Sequence, residues 1–331
     1  MNTESEAVKS TRLMILGLAL ACSAAAAQTP PTRSYPDRPL RLIVGNAPGS
    51  GNDIINRILA ARMTEALGQQ VVVDNRAGAG GTVAMEIGKK SSPDGYTLIS
   101  LSTASVTIAP HIYKNLTYDP LRDYEYISLF AIMPDVLVVH PSQPVRTLKE
   151  FVAHAKSAAN FNMASAGAGS SSHLSGTALR MIAGFESLHV PYKGAGPSVI
   201  SVVSGESQWA LTPAAGVLVH AKAGRLRAIA HSLPERSPLL GELPAIAETF
   251  PGFATRAWYG LGVPRGTPRP VTERLYATVS KLASVPEVQA LVVATGAQVA
   301  AINTPAEFRR FVQEDIAKIG KVVRAAGLKA E

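Results

Sequence analysis

The stretch Asn162-Met-Ala-Ser-Ala-Gly-Ala-Gly-Ser-Ser-Ser-His173 gathers residue types able to hold an anion. A short apolar run leads into Ser165, Ala166, Gly167 and Gly169, after which Leu174, Ala178, Met181 and Ile182 recur at helical spacing. That pattern predicts strand, tight loop, helix. Glycines let the backbone approach whatever lies above the loop, while Ser170, Ser171 and Ser172 can cap the helix and offer hydroxyl donors. Unsatisfied N–H groups and the positive end of the helix dipole would then converge on one point beside His173, which suits a carboxylate or phosphate. An ordinary serine-capped helix after a flexible turn carries the same residues, so the stretch alone leaves both readings open.

A second loop of the same kind lies more than a hundred residues earlier. Leu40-Arg-Leu-Ile-Val44 reads as a strand, Gly45-Asn-Ala-Pro-Gly-Ser-Gly-Asn-Asp53 as a loop, and Ile54, Ile55, Ile58, Leu59 and Met63 as a helix face. Pro48, Gly49, Ser50, Gly51 and Asp53 are its candidate contacts. In a two-domain α/β chain such loops belong at the carboxyl ends of the strands, where two of them can grip one molecule from both sides. Ser102 and Thr103, ending the strand Tyr96–Ser102, are a third candidate contact or else a polar strand end capping the next segment. Thr212, just beyond the strand Gln208–Leu211, completes the set. Arg76-Ala-Gly-Ala-Gly-Gly-Thr82 has neither G-x-G-x-x-G spacing nor a following G-K-[ST], and is read as a structural turn.

Chemistry beyond binding has little support. The histidines at 111, 140, 154, 173, 189, 220 and 231 show no H-x-H or H-E-x-x-H spacing, so neither a metal nor another cofactor is expected. No G-x-S-x-G elbow occurs. Ser170 to Ser172 adjoin His173, but neighbouring helical residues face different ways, which suits a nucleophile and base poorly. Trp258 and Tyr259 are expected to pack between elements rather than to form a ligand platform.

The elements that must position these loops alternate strand and helix twice. One series runs from Leu40 to the strand Tyr96–Ser102. Between Tyr118 and Pro134 the pattern weakens, with breaks at Asp119-Pro and Met133-Pro. From Asp135 a second series begins with the strand Val136–Val139 and ends with Leu226–His231, before an irregular return marked by Pro234, Pro238, Pro244 and Pro251. The alternation implies two α/β lobes with parallel-rich sheets. A strand over Thr255–Val263 and closing helices, the last opened by Thr304-Pro-Ala-Glu307, are expected to return to the first half. Lobe 1 is then residues 33–131 plus 255–331, lobe 2 is 132–254, and two chain crossings between them make a hinge.

Composition sets the setting. Hydrophobic residues are 47% and charged residues 17% of 331, which is globular with ample core material. Lys9 and Arg12 precede an apolar run to Ala21 and alanines to Ala27, the pattern of a secretory signal peptide over residues 1–27. The run is too short to span a membrane. The only cysteine, Cys22, falls in that leader with no leucine three places before it, so lipid anchoring is not expected and the mature chain has no thiol chemistry. The expected location is periplasmic. Net charge is +8, which favours anionic small ligands through steering; the scattered lysines and arginines argue against nucleic acid.

Several blocks, taken in order, resemble the Bug-type extracytoplasmic solute-binding receptors of tripartite tricarboxylate transporters. They are Tyr35-Pro-Asp-Arg-Pro-Leu-Arg, Val73-Asp-Asn-Arg-Ala-Gly-Ala-Gly-Gly, Pro93-Asp-Gly-Tyr-Thr-Leu, Ser165-Ala-Gly-Ala-Gly-Ser-Ser-Ser-His-Leu, His189-Val-Pro-Tyr-Lys-Gly and Trp258-Tyr-Gly. The resemblance covers nearly all of the mature chain. It implies a two-lobed Venus-flytrap fold of the type II-like periplasmic binding proteins, each lobe a mostly parallel sheet flanked by helices. It also implies a carboxylate held by Pro48 to Asp53 and Ser165 to His173 through amides, hydroxyls and ordered water. The chain departs from the family's pattern where Asn46 replaces an aromatic residue and Ser50 a second glycine, changes that bear on ligand identity. The expected ligand is a di- or tricarboxylate, an amino acid or an aromatic acid. The expected partner is a membrane permease, and the chain itself is expected to be a monomer without enzymatic activity. Alternatives are a secreted serine hydrolase using the Ser170–His173 loop, and a binding protein feeding a signalling sensor.

Overall fold

A computed structural model describes residues 35–300 and 304–325. The leader and Cys22 lie outside the described residues. The strands are β1 Leu40–Val44, β2 Val71–Asn75, β3 Thr97–Ser102, β4 Tyr124–Val139, β5 Met163–Ser165, β6 His189–Pro191, β7 Trp209–Pro213, β8 Arg227–His231, β9 Arg256–Pro264 and β10 Gln298–Val299. The helices are α1 Gly51–Leu67, α2 Thr82–Lys89, α3 Ala109–Ile112, α4 Leu148–Ser157, α5 Ser171–Ala183, α6 Ala195–Val203, α7 Ala214–Lys222, α8 Arg269–Ala283, α9 Pro286–Ala294 and α10 Pro305–Ala325.

Hydrogen bonds link the strands in the order β2-β1-β3-β9-β4-β7-β5-β6, with β8 and β10 also on β4. β1 pairs in parallel with β2 and β3, and β5 with β6 and β7, each after a helical crossover. The joining strand β4 runs antiparallel to β9 and β10 over its first part and to β7 and β8 over its second. Two half-sheets therefore share one strand, and the described residues from Arg38 onward form a single compact unit.

β4 corrects the sequence reading, which placed a break at Met133-Pro134. Pro134 is opposite Arg256 in the β9 ladder, and the next residue, Asp135, is opposite Pro213 in the β7 ladder. A proline gives up a ladder hydrogen bond, and it stands where the strand leaves one set of partners for the other. The feature that signals a break in a sequence here marks a handover within one strand. Beside it the Asp135 N–H donates to Ser232 Oγ at 2.8 Å, the Ser232 N–H to Asp135 O at 3.0 Å and the Thr255 N–H to Ser232 O at 3.2 Å. These bonds tie β4 to the returning segment.

Each half-sheet carries its own core. Phe151 lies 5.3 Å from Trp209 and 5.7 Å from Phe185, ring centre to ring centre, in the second half. Tyr124, Tyr126, Trp258 and Phe308 fill the first, with Trp258 Nε1 donating to Asp315 on α10 at 2.8 Å. Fully burying such a side chain stabilises by about 1.5–3 kcal/mol. The α10 contact packs the C-terminal helix on the first half-sheet. β5 is anchored in the second core through Met163, and β1 is held between β2 and β3; the anion-type loops extend from the carboxyl ends of these two strands.

Candidate functional site

Helix α1 starts where it does because Ser50, extended at φ −70° and ψ 160°, accepts the Asp53 N–H on its Oγ at 3.2 Å. Helix α5 starts in the same way: Ser170, at φ −75° and ψ 161°, accepts the His173 N–H at 3.2 Å. A helix leaves its first N–H groups without intrahelical partners, and a serine cap satisfies one of them. The amides of Gly51 and Asn52 on α1, and of Ser171 and Ser172 on α5, have no hydrogen-bond partner among the described residues.

Both termini line one cleft of about 490 Å³. Ser50, Gly51 and Asn52 come from one half, and Ala166, Gly167, Ser170, Ser171, Ser172 and Thr212 from the other; Ser102 and Thr103 line it as well. No aspartate or glutamate is in the lining, and its one charged side chain is the exposed Lys193, which has no ion pair among the described residues. Two positive helix ends and a lysine, with no carboxylate in the lining and the Asp53 carboxylate in the first turn of α1 paired to Arg57, favour an anion.

The remaining sequence candidates, Pro48, Gly49, Asp53, Ser165, Gly169 and His173, stand outside the lining and brace it. Asp53 is buried; its Oδ2 accepts the Gly49 N–H and Arg57 Nε, each at 2.9 Å, and its Oδ1 accepts Asn75 Nδ2 at 2.9 Å. Burial pushes this carboxyl up, but those donors outweigh it and hold it below its ordinary value. Its charge is held by the loop and by Arg57. In the other loop the Gly167 N–H donates to Ser165 Oγ at 3.1 Å, and that oxygen lies 2.6 Å from His189 Nε2. The Gly169 N–H donates to His173 Nδ1 at 3.3 Å, and the two imidazoles stack 3.9 Å apart. Burial, aided by the neighbouring His189, pushes His173 down to about 4. It is therefore neutral at pH 7 and can accept that bond.

The serine–histidine contact in this loop belongs to Ser165, which is fully buried and outside the cleft. Ser172 Oγ accepts the Ala166 N–H at 3.0 Å and lies 3.1 Å from Ser170 Oγ. Among the described residues no group of three or more His, Cys, Asp or Glu is placed to hold a metal ion, and no helix is long and apolar enough to cross a membrane.

The sequence reading missed part of the wall. Ala77 to Gly81, read as a structural turn, line the cleft, as do Asn46, Tyr113, Tyr192, Gly194 and Tyr259. The signal was the glycine run itself: Gly78, Ala79, Gly80 and Gly81 all have positive φ, and a Cβ on Gly45 would stand 2.9 Å from Gly81 Cα. Such backbone approach demands glycine whether or not a phosphate is present. Tyr259 does pack between elements, yet its buried ring also reaches the cleft.

Across the cleft the halves touch. Tyr113 OH donates to Ala168 O at 3.4 Å, a Cβ on Gly80 would lie 3.3 Å from Gly169 O, and one on Gly194 would lie 2.8 Å from Ala47 Cβ.

Comparison with known proteins agrees with this geometry. Three solved structures are similar along nearly their whole length. A Rhodopseudomonas palustris protein, Rpa4515 with adipate, is 30% identical with a TM-score of 0.86, over 89% of this chain and 99% of that one. The periplasmic binding protein BugD is 30% identical with a TM-score of 0.85, over 90% and 100%. MatC of R. palustris with bound malate is 31% identical with a TM-score of 0.82, over 87% and 100%. The fold is accordingly the two-lobed one of periplasmic binding proteins, and the chain is a Bug-type solute-binding receptor. Residues 55–328 match the family model described as the tripartite tricarboxylate transporter family receptor, and the chain belongs to that family.

Proposed function

We propose that the cleft captures a small carboxylate-bearing solute reversibly, between two hinged lobes, and that the loaded receptor delivers it in the periplasm to a tripartite tricarboxylate-type permease. The observation that carries this reading is the pair of serine-capped helix ends whose unpartnered amides line one cleft. Adipate and malate in the similar structures are carboxylates and support it. In this reading residues 33–131 with 255–331 form one lobe, 132–254 the other, and the handover at Pro134 and Asp135 is a crossing between them.

Charge-assisted hydrogen bonds contribute roughly 1.5–3 kcal/mol each, against several kcal/mol to desolvate the carboxylate. About −8 kcal/mol corresponds to micromolar binding, so donors from both helix ends suffice together and neither end suffices alone. Closure follows from contacts made only when both engage. Capture needs no bond made or broken, and the receptor acts as a monomer without enzymatic activity.

The test is a thermal-shift screen of carboxylic acids followed by calorimetry on the best one. Replacing Ser170 and Ser171 together by alanine is expected to weaken binding about tenfold or more while the chain stays folded. Unchanged affinity would count against the reading.

A further inference from the structure

Asn46 lines the cleft beside the first helix end, and three buried residues dictate which way its amide faces. The backbone carbonyl of Asn52 can only accept, and Asn56 Nδ2 lies 2.8 Å from it, so that nitrogen must be the donor. The same nitrogen lies 2.6 Å from the Asn52 side chain and 2.9 Å from Ser100 Oγ; two amide nitrogens repel at 2.6 Å, so Asn52 turns its Oδ1 that way, and Ser100 Oγ donates to this oxygen at 2.8 Å as well. Asn52 then has only its Nδ2 left for Asn46, which it reaches at 2.8 Å, so Asn46 must offer Oδ1. The Asn46 Nδ2 remains, with no partner among the described residues. Asn75 Nδ2 holds the Asn46 backbone carbonyl at 2.9 Å, so the loop cannot readily turn over. Asn52, Asn56 and Ser100 are each 2% exposed, which keeps water from competing for the relay.

From this chain of constraints we propose that Asn46 is a specificity-determining residue: it donates from Nδ2 to an oxygen on the part of the solute away from the gripped carboxylate. The inference rests on the carboxylate reading above and narrows it. The solute is an acid carrying a second oxygen acceptor, such as a second carboxyl or a hydroxyl. An acid whose far end is an alkyl chain or an aromatic ring leaves Nδ2 desolvated and unpaired. One with an ammonium group there sets donor against donor. Asn56 and Ser100 act only through Asn52 and are positioning residues.

The experiment pairs acids of equal carbon number: adipate with hexanoate, and malate with butyrate. Wild type is expected to bind the first of each pair at least about tenfold more tightly, the difference one well-placed hydrogen bond makes. Asn46→Leu should bring that ratio to within about threefold, by weakening adipate and malate more than hexanoate and butyrate. Asn46→Ala removes the same donor without adding bulk and carries the comparison if the leucine variant does not fold. A ratio that both variants leave at the wild-type value overturns the role of Asn46 alone. If wild type binds none of the four acids, the carboxylate reading falls and this inference with it.

Discussion

Single residues in this chain divide into those that face the cleft and those that hold them still. Asp53 and His173, chemically the most suggestive members of the two loops, both brace the backbone, whereas the free donors are amides that any residue type supplies. That is why side-chain motifs locate the loops but do not tell which of their residues line the cleft. Asp135 at the β4 handover is a different case. It is fully buried, and Oδ2 accepts Ser175 Oγ at 2.6 Å and Thr255 Oγ1 at 3.3 Å, while Oδ1 has no partner. Burial pushes its carboxyl up from 3.8 to about 7. The folded chain thus keeps a proton that the unfolded chain releases, so this group's contribution is intact below about pH 4 and is lost as pH rises towards 7. His173 has the opposite sign, since a lowered folded value costs stability as pH falls from 6.5 towards about 4. Asp135→Asn isolates the first effect. In urea unfolding, the stability of wild type relative to this variant should fall by a few kcal/mol between pH 4 and 8. A pH-independent difference would remove Asp135 from the account.

At the scale of elements, the two strand-loop-helix units were legible from glycine, serine and apolar spacing, because caps and helical periodicity are local properties. The 16-residue β4 was not, because its continuity depends on partners distant in sequence: β9 on one side of Pro134 and β7 on the other. The Ala77–Gly81 wall escaped for a related reason, since a turn and a cleft wall need the same backbone freedom. The helix ends themselves make a sharp prediction. Proline is tolerated at the first position of a helix and removes its N–H, and the extended Ser170 before it is compatible with a following proline. Ser171→Pro should therefore leave the melting temperature near that of Ser171→Ala yet bind carboxylate about tenfold more weakly than the alanine variant. Equal affinities in calorimetry would show that the Ser171 amide is not used. The loop before α6 makes another. Gly194 has φ +113°, and a Cβ there would lie 2.8 Å from Ala47 Cβ across the cleft. Gly194→Ala should weaken solute binding several-fold in the same assay, by opposing approach of the halves. An unchanged dissociation constant would mean that this contact does not form in the loaded receptor.

For the molecule as a whole, what matters is that β4 and the segment returning at Thr255 run between two separately packed cores. The net charge of +8 draws anions towards the surface, and the lining of the cleft holds no carboxylate to oppose them. The order of the strands along the chain suggested two halves; that their loops meet at one cleft is a property of the assembled sheets. A crystal structure of the receptor grown with adipate or malate tests the central claim most directly. One carboxylate group should sit within hydrogen-bond reach, directly or through a single water, of an amide from Gly51 or Asn52 and of an amide from Ser171 or Ser172. A carboxylate bound at only one of these helix ends, or away from both, would contradict the account.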